Sequence, residues 1–357
     1  MSLQLIVDCS VLRSPASGVG IYVNEILRRL HRDKIDVVAR PKLTASRQSE
    51  SSPSSLVSFV RQLPGAYRLR NLALGWPPLK KDELFWAPNF LLPGWPLVPP
   101  RGVVTIQDLI FVDHPTWADP VRSRFFLRQL PSTLTTATRV IITTQATGAA
   151  LLRHFKSHLS AEKLVCIPLG IRTLATNTGS ENSHEEAVVA YGNLEPRKDF
   201  LTLIKAHQNL LPALRRRHPL VITGYPLDRS YARRLVAACD PPHARIENRL
   251  HDEALGSLVH RSKVVVAPSL AEGFGLVPLE AYVAGAPVIA ADIAVTRELL
   301  GDLIRYFNPG DISSLVAALT DALGDRARPS ADERNKIAEK FSWEKTAAAH
   351  EKLFLSL

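Results

Sequence analysis

The sequence predicts an α/β protein made of two doubly wound parallel sheets. Two observations carry this. Short β-branched runs alternate with segments of helical apolar spacing in both halves of the chain, the pattern of repeated strand–helix–strand units. Glycines and polar residues gather just after the strand-like runs, where open parallel sheets bind their ligands. At 357 residues the chain suggests about two domains, with apolar residues enough for two cores. No short-period repeat is visible.

Taken in order, Leu3 to Asp8 is an opening strand. Ser17-Gly18-Val19-Gly20 follows as a loop, then a helix from Ile21 to Arg32 whose Val23, Ile26, Leu27 and Leu30 fall at helical spacing. Gly18 and Gly20 let the backbone approach a ligand closely. Residues 44–58 are Ser-rich and read as a mobile loop. Residues 61–81 mix Arg61, Arg68, Arg70, Lys80 and Lys81 with Tyr67, Trp76 and leucines. That mixture suits either a membrane interface or ordinary packing. Leu84 to Pro93 forms a strand and turn, and Val103 to Ile106 a buried strand ending at Gln107 and Asp108. Nearby His114 reads as a surface or structural histidine. Val140 to Thr144 is a strand, with a helix from about Ala146 to Phe155 after it. Leu164 to Ile171 closes the domain, and residues 173–186 have linker composition.

The second half opens with strand Val188 to Tyr191 and the turn Gly192-Asn193-Leu194-Glu195-Pro196-Arg197-Lys198-Asp199, then a helix through Leu201, Ile204 and Leu210. Cations at a helix start oppose the helix dipole, so Arg197 and Lys198 call for an anionic partner, and a diphosphate fits. Leu220 to Gly224 is the next strand, with a short one at Ala244 to Ile246 before Leu250. Val264 to Ala267 is a buried strand leading into Pro268-Ser269-Leu270-Ala271-Glu272-Gly273-Phe274-Gly275-Leu276-Val277-Pro278-Leu279-Glu280. Here two glycines make a tight turn, a helix begins near Pro278, and Gly285 caps its end. Backbone N–H groups at such a helix start favour an anion. Glu272 and Glu280 would repel one, so they suit sugar and ribose hydroxyls instead. Val288 to Ala291 is a strand, Ala294 to Leu300 a helix, and Phe341-Ser342-Trp343-Glu344 starts the last helix.

Glu272 and Glu280, with seven residues between them inside Glu-Gly-Phe-Gly-Leu, resemble the E-x7-E signature of retaining GT-B glycosyltransferases of family 4. The resemblance covers nearly the whole chain and is most specific over 188–205 and 264–300. It implies a GT-B fold, two Rossmann-like domains facing across a cleft. Residues 1–178 would be the acceptor-binding domain, 179–341 the nucleotide-sugar domain, and 342–357 a helix returning to the first. It further implies that Glu272 meets the donor hexose and Glu280 the ribose. The diphosphate would be held by Arg197, Lys198 and the amides of Gly273, Phe274, Gly275 and Leu276. Gly18 and Gly20 would line the cleft by the sugar, Gly192, Asn193 and Gly224 would shape the donor turns, and Leu250 would meet the base. Where Asn193 stands other branches carry Arg, which leaves Arg197 to supply the second positive charge. The family commonly has His where this chain has Gln107. Glutamine exchanges hydrogen bonds but carries no proton at neutral pH, so acid–base work at this catalytic position is in doubt.

Charge is uneven. The chain carries +10, and residues 1–178 hold 22 Lys and Arg against 11 Asp and Glu, while the remainder holds 22 against 23. The basic half suits an anionic membrane or a phosphorylated acceptor, or is plain solvated surface. Scattered basic residues match no nucleic-acid module. Cys9, Cys166 and Cys239 have no metal spacing and fit reduced thiols. The start of the chain reaches Asp8 too soon for a signal peptide, and no apolar run approaches the ~18 residues of a membrane span. These features point to a cytoplasmic protein, with a peripheral place on the inner membrane face as the further expectation.

The expected activity is transfer of a hexose, with retention, from a nucleotide sugar to a saccharide acceptor, without metal or other cofactor, since no Asp-x-Asp is present. The Glu-Pro-Arg-Lys turn and Ala87-Pro88-Asn89 look most like polysaccharide and O-antigen mannosyl-, rhamnosyl- or fucosyltransferases. GDP-mannose is the first donor expected, GDP-fucose or a UDP-sugar the second, with fucose, rhamnose or glucose as the other hexoses, and a lipid-diphosphate-linked saccharide the acceptor. Two alternatives stay open. A nucleotide-sugar epimerase or hydrolase of the same architecture would release sugar without an acceptor. A catalytically weak binding subunit would bind donor without turnover.

Overall fold

The computed structural model describes residues 2–13, 18–40, 79–94, 98–174, 186–325 and 327–357. The Ser-rich loop, most of the 61–81 stretch and the 178/179 boundary expected from the sequence lie outside them. The chain divides into two compact units, Met1–Gly170 with Trp343–Leu357, and Ile171–Ser342.

The first unit holds six parallel strands: β1 (Leu3–Asp8), β2 (Ile35–Arg40), β3 (Leu84–Ala87), β4 (Gly102–Ile106), β5 (Arg139–Ile142) and β6 (Leu164–Cys166), in the order β2-β1-β3-β4-β5-β6. β3 and β4 are buried along their whole length, as central parallel strands covered on both faces must be. Ile6, Phe85, Val104, Leu130, Leu134, Val140 and Leu151 are among the core residues. The first helix spans Gly18–Arg29, so Gly18 and Gly20 sit in its first turn and not in a loop ahead of it. Its buried side chains repeat at helical spacing, Val23 and Ile26 among them, which is why this segment is helical.

The final helix, Trp343–Leu355, packs within this same unit. Gly170 makes room for it, since a Cβ there would fall 2.4 Å from the Trp343 ring. A buried polar chain joins this helix to the first. Trp86 Nε1 donates to Thr105 Oγ1 at 3.0 Å, and the Tyr22 hydroxyl lies 3.1 Å from that oxygen and 2.6 Å from His350 Nε2. His350 Nδ1 lies 2.7 Å from the Thr346 carbonyl. That carbonyl can only accept, so Nδ1 carries the proton and Nε2 accepts from Tyr22. Every member is then satisfied, the condition under which a buried polar network stabilises. Burial lowers the His350 pKa to about 4.

The second unit holds β7 (Val188–Tyr191), β8 (Leu220–Gly224), β9 (Ala244–Asn248), β10 (Val264–Ala267), β11 (Val288–Ala291) and β12 (Arg305–Phe307). All pair in parallel in the order β12-β11-β10-β7-β8-β9. The order runs outward in opposite directions from β7 and β10, so the topological switch point lies between them. Val188, Phe200, Leu203, Leu220, Ile222, Val264 and Ile289 belong to its core. The expected fold class of two doubly wound parallel sheets is the one observed. No helix among the described residues is long and apolar enough to cross a membrane.

Candidate active site in the second unit

The switch point brings the ends of β7 and β10 side by side, and the predicted donor residues leave from those ends. After β7 the chain turns at Gly192, whose φ of +137° is closed to side-chain-bearing residues. A one-turn 3-10 helix, Pro196–Lys198, follows, and Asp199 in the left-handed region starts helix Phe200–Gln208. Gly224, at the end of β8, lies under this turn. A Cβ on it would stand 1.7 Å from the Gly192 carbonyl oxygen, so only glycine fits. Neighbouring amides lock the arrangement, Gly192 N donating to Thr223 O at 3.1 Å and Leu194 N to Tyr225 O at 2.8 Å.

After β10 the chain passes Glu272 and Gly273 to Gly275, at φ +78°, which caps helix Leu276–Val283. This helix begins two residues before Pro278, the start expected from sequence. Proline needs no amide partner anywhere in the first turn, so it is tolerated at the third position as at the first. Gly285, at φ +87°, closes the far end with Ala286 N donating to Ala281 O at 3.0 Å, as expected for a glycine C-cap. The Phe274 side chain turns into the unit, where its ring meets Phe341 edge-on at 5.8 Å.

Arg197, Lys198 and Glu272, chosen from sequence, come together here. Lys198 Nζ donates to Glu272 Oε1 at 2.5 Å, and Arg197 Nη1 to Oε2 at 2.9 Å. Arg197 also reaches the Ala271 carbonyl at 3.2 Å and Glu195 at 2.8 Å, and its own carbonyl accepts from Leu270 N at 2.9 Å. These links tie the two loops into one surface. Lys198 is only 8% exposed, so the pair of cations is inside the site and not on a solvated face. Burial alone would raise the Glu272 pKa, but Lys198, Arg197 and Ser269 beside it hold it at about 2. With both cations facing it, Glu272 is a carboxylate at neutral pH.

Glu280 lies on the helix, 4% exposed. Its partner is one the sequence reading missed: Arg172, whose Nε donates to Oε1 at 2.9 Å. The Tyr191 hydroxyl, 3.1 Å from the Val277 carbonyl, is also beside this carboxyl. Burial pushes the Glu280 pKa up against the pull of Arg172. Arg172 had no motif around it, only a position just past the strand-like run ending at Ile171. Leu250 is half-buried between β9 and helix Asp252–Arg261, whose N-cap is His251. Asn193 is exposed in the β7 turn.

Gly18, Gly20 and Gln107 belong to the first unit. Gln107 follows β4, its carbonyl accepts from Thr143 Oγ1 at 3.2 Å, and its buried Nε2 lacks a hydrogen-bond acceptor. His114 stacks on Trp117 at 4.1 Å, the structural role expected. Among the described residues no group of three or more His, Cys, Asp or Glu converges to hold a metal ion.

Fold and site together define a protein of two parallel six-stranded sheets with a cation–carboxylate cluster at the switch point of the second. Residues 175–341 match the profile of the family described as glycosyl transferases group 1. Over 375 residues the chain is 27% identical to O-antigen chain mannosyltransferase B of Escherichia coli, covering 96% of this chain and 97% of that protein. Serotype-specific mannosyltransferase WbdA of Escherichia coli is 33% identical over 171 residues, 46% of this chain but 21% of that protein. Among solved structures, sucrose-phosphate synthase from Thermosynechococcus elongatus shares the fold, with a TM-score of 0.72 at 21% identity over 100% of this chain and 99% of its own. The chain has the two-sheet GT-B fold of that structure, and residues 175–341 match the glycosyl transferases group 1 family.

Proposed function

We propose that this glycosyltransferase moves a hexose, mannose first, from a nucleoside-diphosphate sugar to a saccharide acceptor with retention of anomeric configuration. The observation that carries the reading is the Lys198–Glu272–Arg197 cluster at the switch point, beside the glycine-capped start of helix 276–283. Two cations lie against one carboxylate a few residues before that helix start, and a diphosphate would be a stronger partner for them.

In this reading Arg197 and Lys198 turn from Glu272 to the diphosphate and stabilise the charge that develops as it leaves. The Gly273–Leu276 amides add to that stabilisation. Released from its cations, Glu272 accepts hydrogen bonds from the hexose hydroxyls. A departing phosphate oxygen then takes the acceptor proton on the same face, which gives retention without a protein nucleophile. Two fixed cations meet the leaving-group charge, so no metal or other cofactor is called for. Gln107 offers a hydrogen bond at most.

Mannose is favoured because O-antigen chain mannosyltransferase B resembles the chain along nearly its whole length. A role in polysaccharide or O-antigen assembly and a lipid-diphosphate-linked acceptor follow the same likeness and the basic first unit. That basic surface also supports a peripheral place on the cytoplasmic membrane face.

The test is a donor panel with two variants. GDP should stabilise the wild type against heat more than UDP, dTDP or ADP, by linkage. Glu272→Gln should depress transfer from GDP-mannose without weakening GDP, and Glu280→Gln should weaken GDP itself. If both variants merely lose stability and activity in proportion, the carboxylates are structural and the reading fails.

A further inference from the structure

Glu280 is a deeply buried carboxylate, and its charge is met from outside its own helix. Arg172, near the start of the second unit, approaches both of its oxygens, Nε to Oε1 at 2.9 Å and Nη2 to Oε2 at 3.4 Å. From its third nitrogen, Nη1, the same guanidinium donates to Asp252 Oδ1 at 2.6 Å. Asp252 is the first residue of helix Asp252–Arg261 and follows Leu250 and His251 directly. One planar, permanently charged group thus joins the Glu280 helix to the loop at Leu250.

We propose that Arg172 is a positioning residue for nucleotide binding: it keeps Glu280 an ionised acceptor for the ribose hydroxyls and, through Asp252, holds the Leu250 loop in register with it. The inference rests on reading Glu280 as the ribose ligand. A carboxyl group alone at this depth takes up a proton, and then loses acceptor capacity. Burial and Asp252 push Glu280 towards that neutral form, and Arg172 and Tyr191 pull it back. These are the charged and titratable groups that face it, from the segment before β7, from helix 252–261 and from the end of β7. A lysine at 172 would bring a point charge but could not bridge both carboxylates with one rigid fork.

The experiment is calorimetric titration of GDP-mannose and UDP-glucose between about pH 6 and 8, a range in which neither the diphosphate diester nor the base of either ligand changes charge. Wild-type affinity for whichever sugar nucleotide binds should be level across it. Arg172→Gln should bind more weakly at the acid end and recover as pH rises, by up to about tenfold per pH unit, the slope for one proton leaving Glu280. The double variant Arg172→Gln with Glu280→Gln should be weak and level. Arg172→Lys should restore a level profile at several-fold lower affinity. Asp252→Asn, at a solvent-exposed partner, should weaken binding without adding a slope. A level Arg172→Gln profile would overturn the proposal. Should that variant fail to fold, wild-type affinity in both Arg172→Lys and Asp252→Asn would overturn it instead. Equal wild-type affinity for GDP and 2′,3′-dideoxy-GDP would overturn the underlying ribose reading, a different result from a level profile.

Discussion

Lys198 and Glu272, 74 residues apart in the chain, meet through a 2.5 Å hydrogen bond at the switch point of the second sheet. The two cations read as the diphosphate clamp therefore share a carboxylate of the protein itself, with Glu195 also on Arg197. In the proposed function, binding a diphosphate would exchange one anion for another and set free the carboxylate read as the hexose ligand. Such a paired cation is far cheaper to hold in a buried site than a lone one.

Lys198→Ala follows directly. Loss of a charge-assisted hydrogen bond should weaken nucleoside diphosphate binding by roughly 1.5–3 kcal/mol. Guanosine, without phosphates, should bind as before. Calorimetry on both ligands checks it, and equal losses would remove Lys198 from the phosphate site.

Gly224→Ala tests the packing beneath the turn. The added Cβ would collide with the Gly192 carbonyl, a backbone atom with no rotamer to escape into. Overpacking of this kind typically costs 1–3 kcal/mol, so the melting temperature should drop by several degrees. Because the shift passes through Gly192 towards Lys198, nucleotide affinity should fall in the folded fraction too.

His350 predicts an acid-sensitive first unit. Its pKa in the fold is about 4, below the ordinary value of 6.5, because burial disfavours the charged ring. The unfolded chain then binds the proton first as pH falls. Its contribution to stability is complete above about pH 6.5 and is lost between there and pH 4, by roughly 3 kcal/mol at most. His207 and His218 in the second unit are shifted in the same direction by burial, so the informative quantity is a difference. His350→Gln keeps an acceptor for Tyr22 and takes up no proton. Denaturant titrations across this range should show a flatter acid limb for it than for the wild type.

The basic half predicts behaviour at a membrane. Vesicles with anionic lipid should bind the protein more than neutral vesicles, and added salt should reverse the binding. Cosedimentation insensitive to lipid charge would leave the excess as ordinary surface.

Local pattern was enough to establish many of the elements and the residue types of the candidate site, though strands Ile35–Arg40 and Arg305–Phe307 and helices such as Pro120–Thr136 were not read from it. The β-branched run Val188 to Tyr191 and the helix Ala294 to Leu300 lie where period and composition put them, because burial on both faces or along one stripe is written in consecutive residues. The glycines at 192, 224 and 275 and the spacing of Glu272 from Glu280 were likewise legible. Boundaries at the first helix and at Pro278 were off by two or three residues, since a helix start depends on caps that glycine and proline both permit. Partnership was decided only in three dimensions. The order of parallel strands sets β7 beside β10, and so brings Lys198 to Glu272. Arg172 likewise meets Glu280 of helix 276–283 across 108 residues. No periodicity records such contacts, because parallel strands join only through long crossovers and the charges that meet belong to different ones.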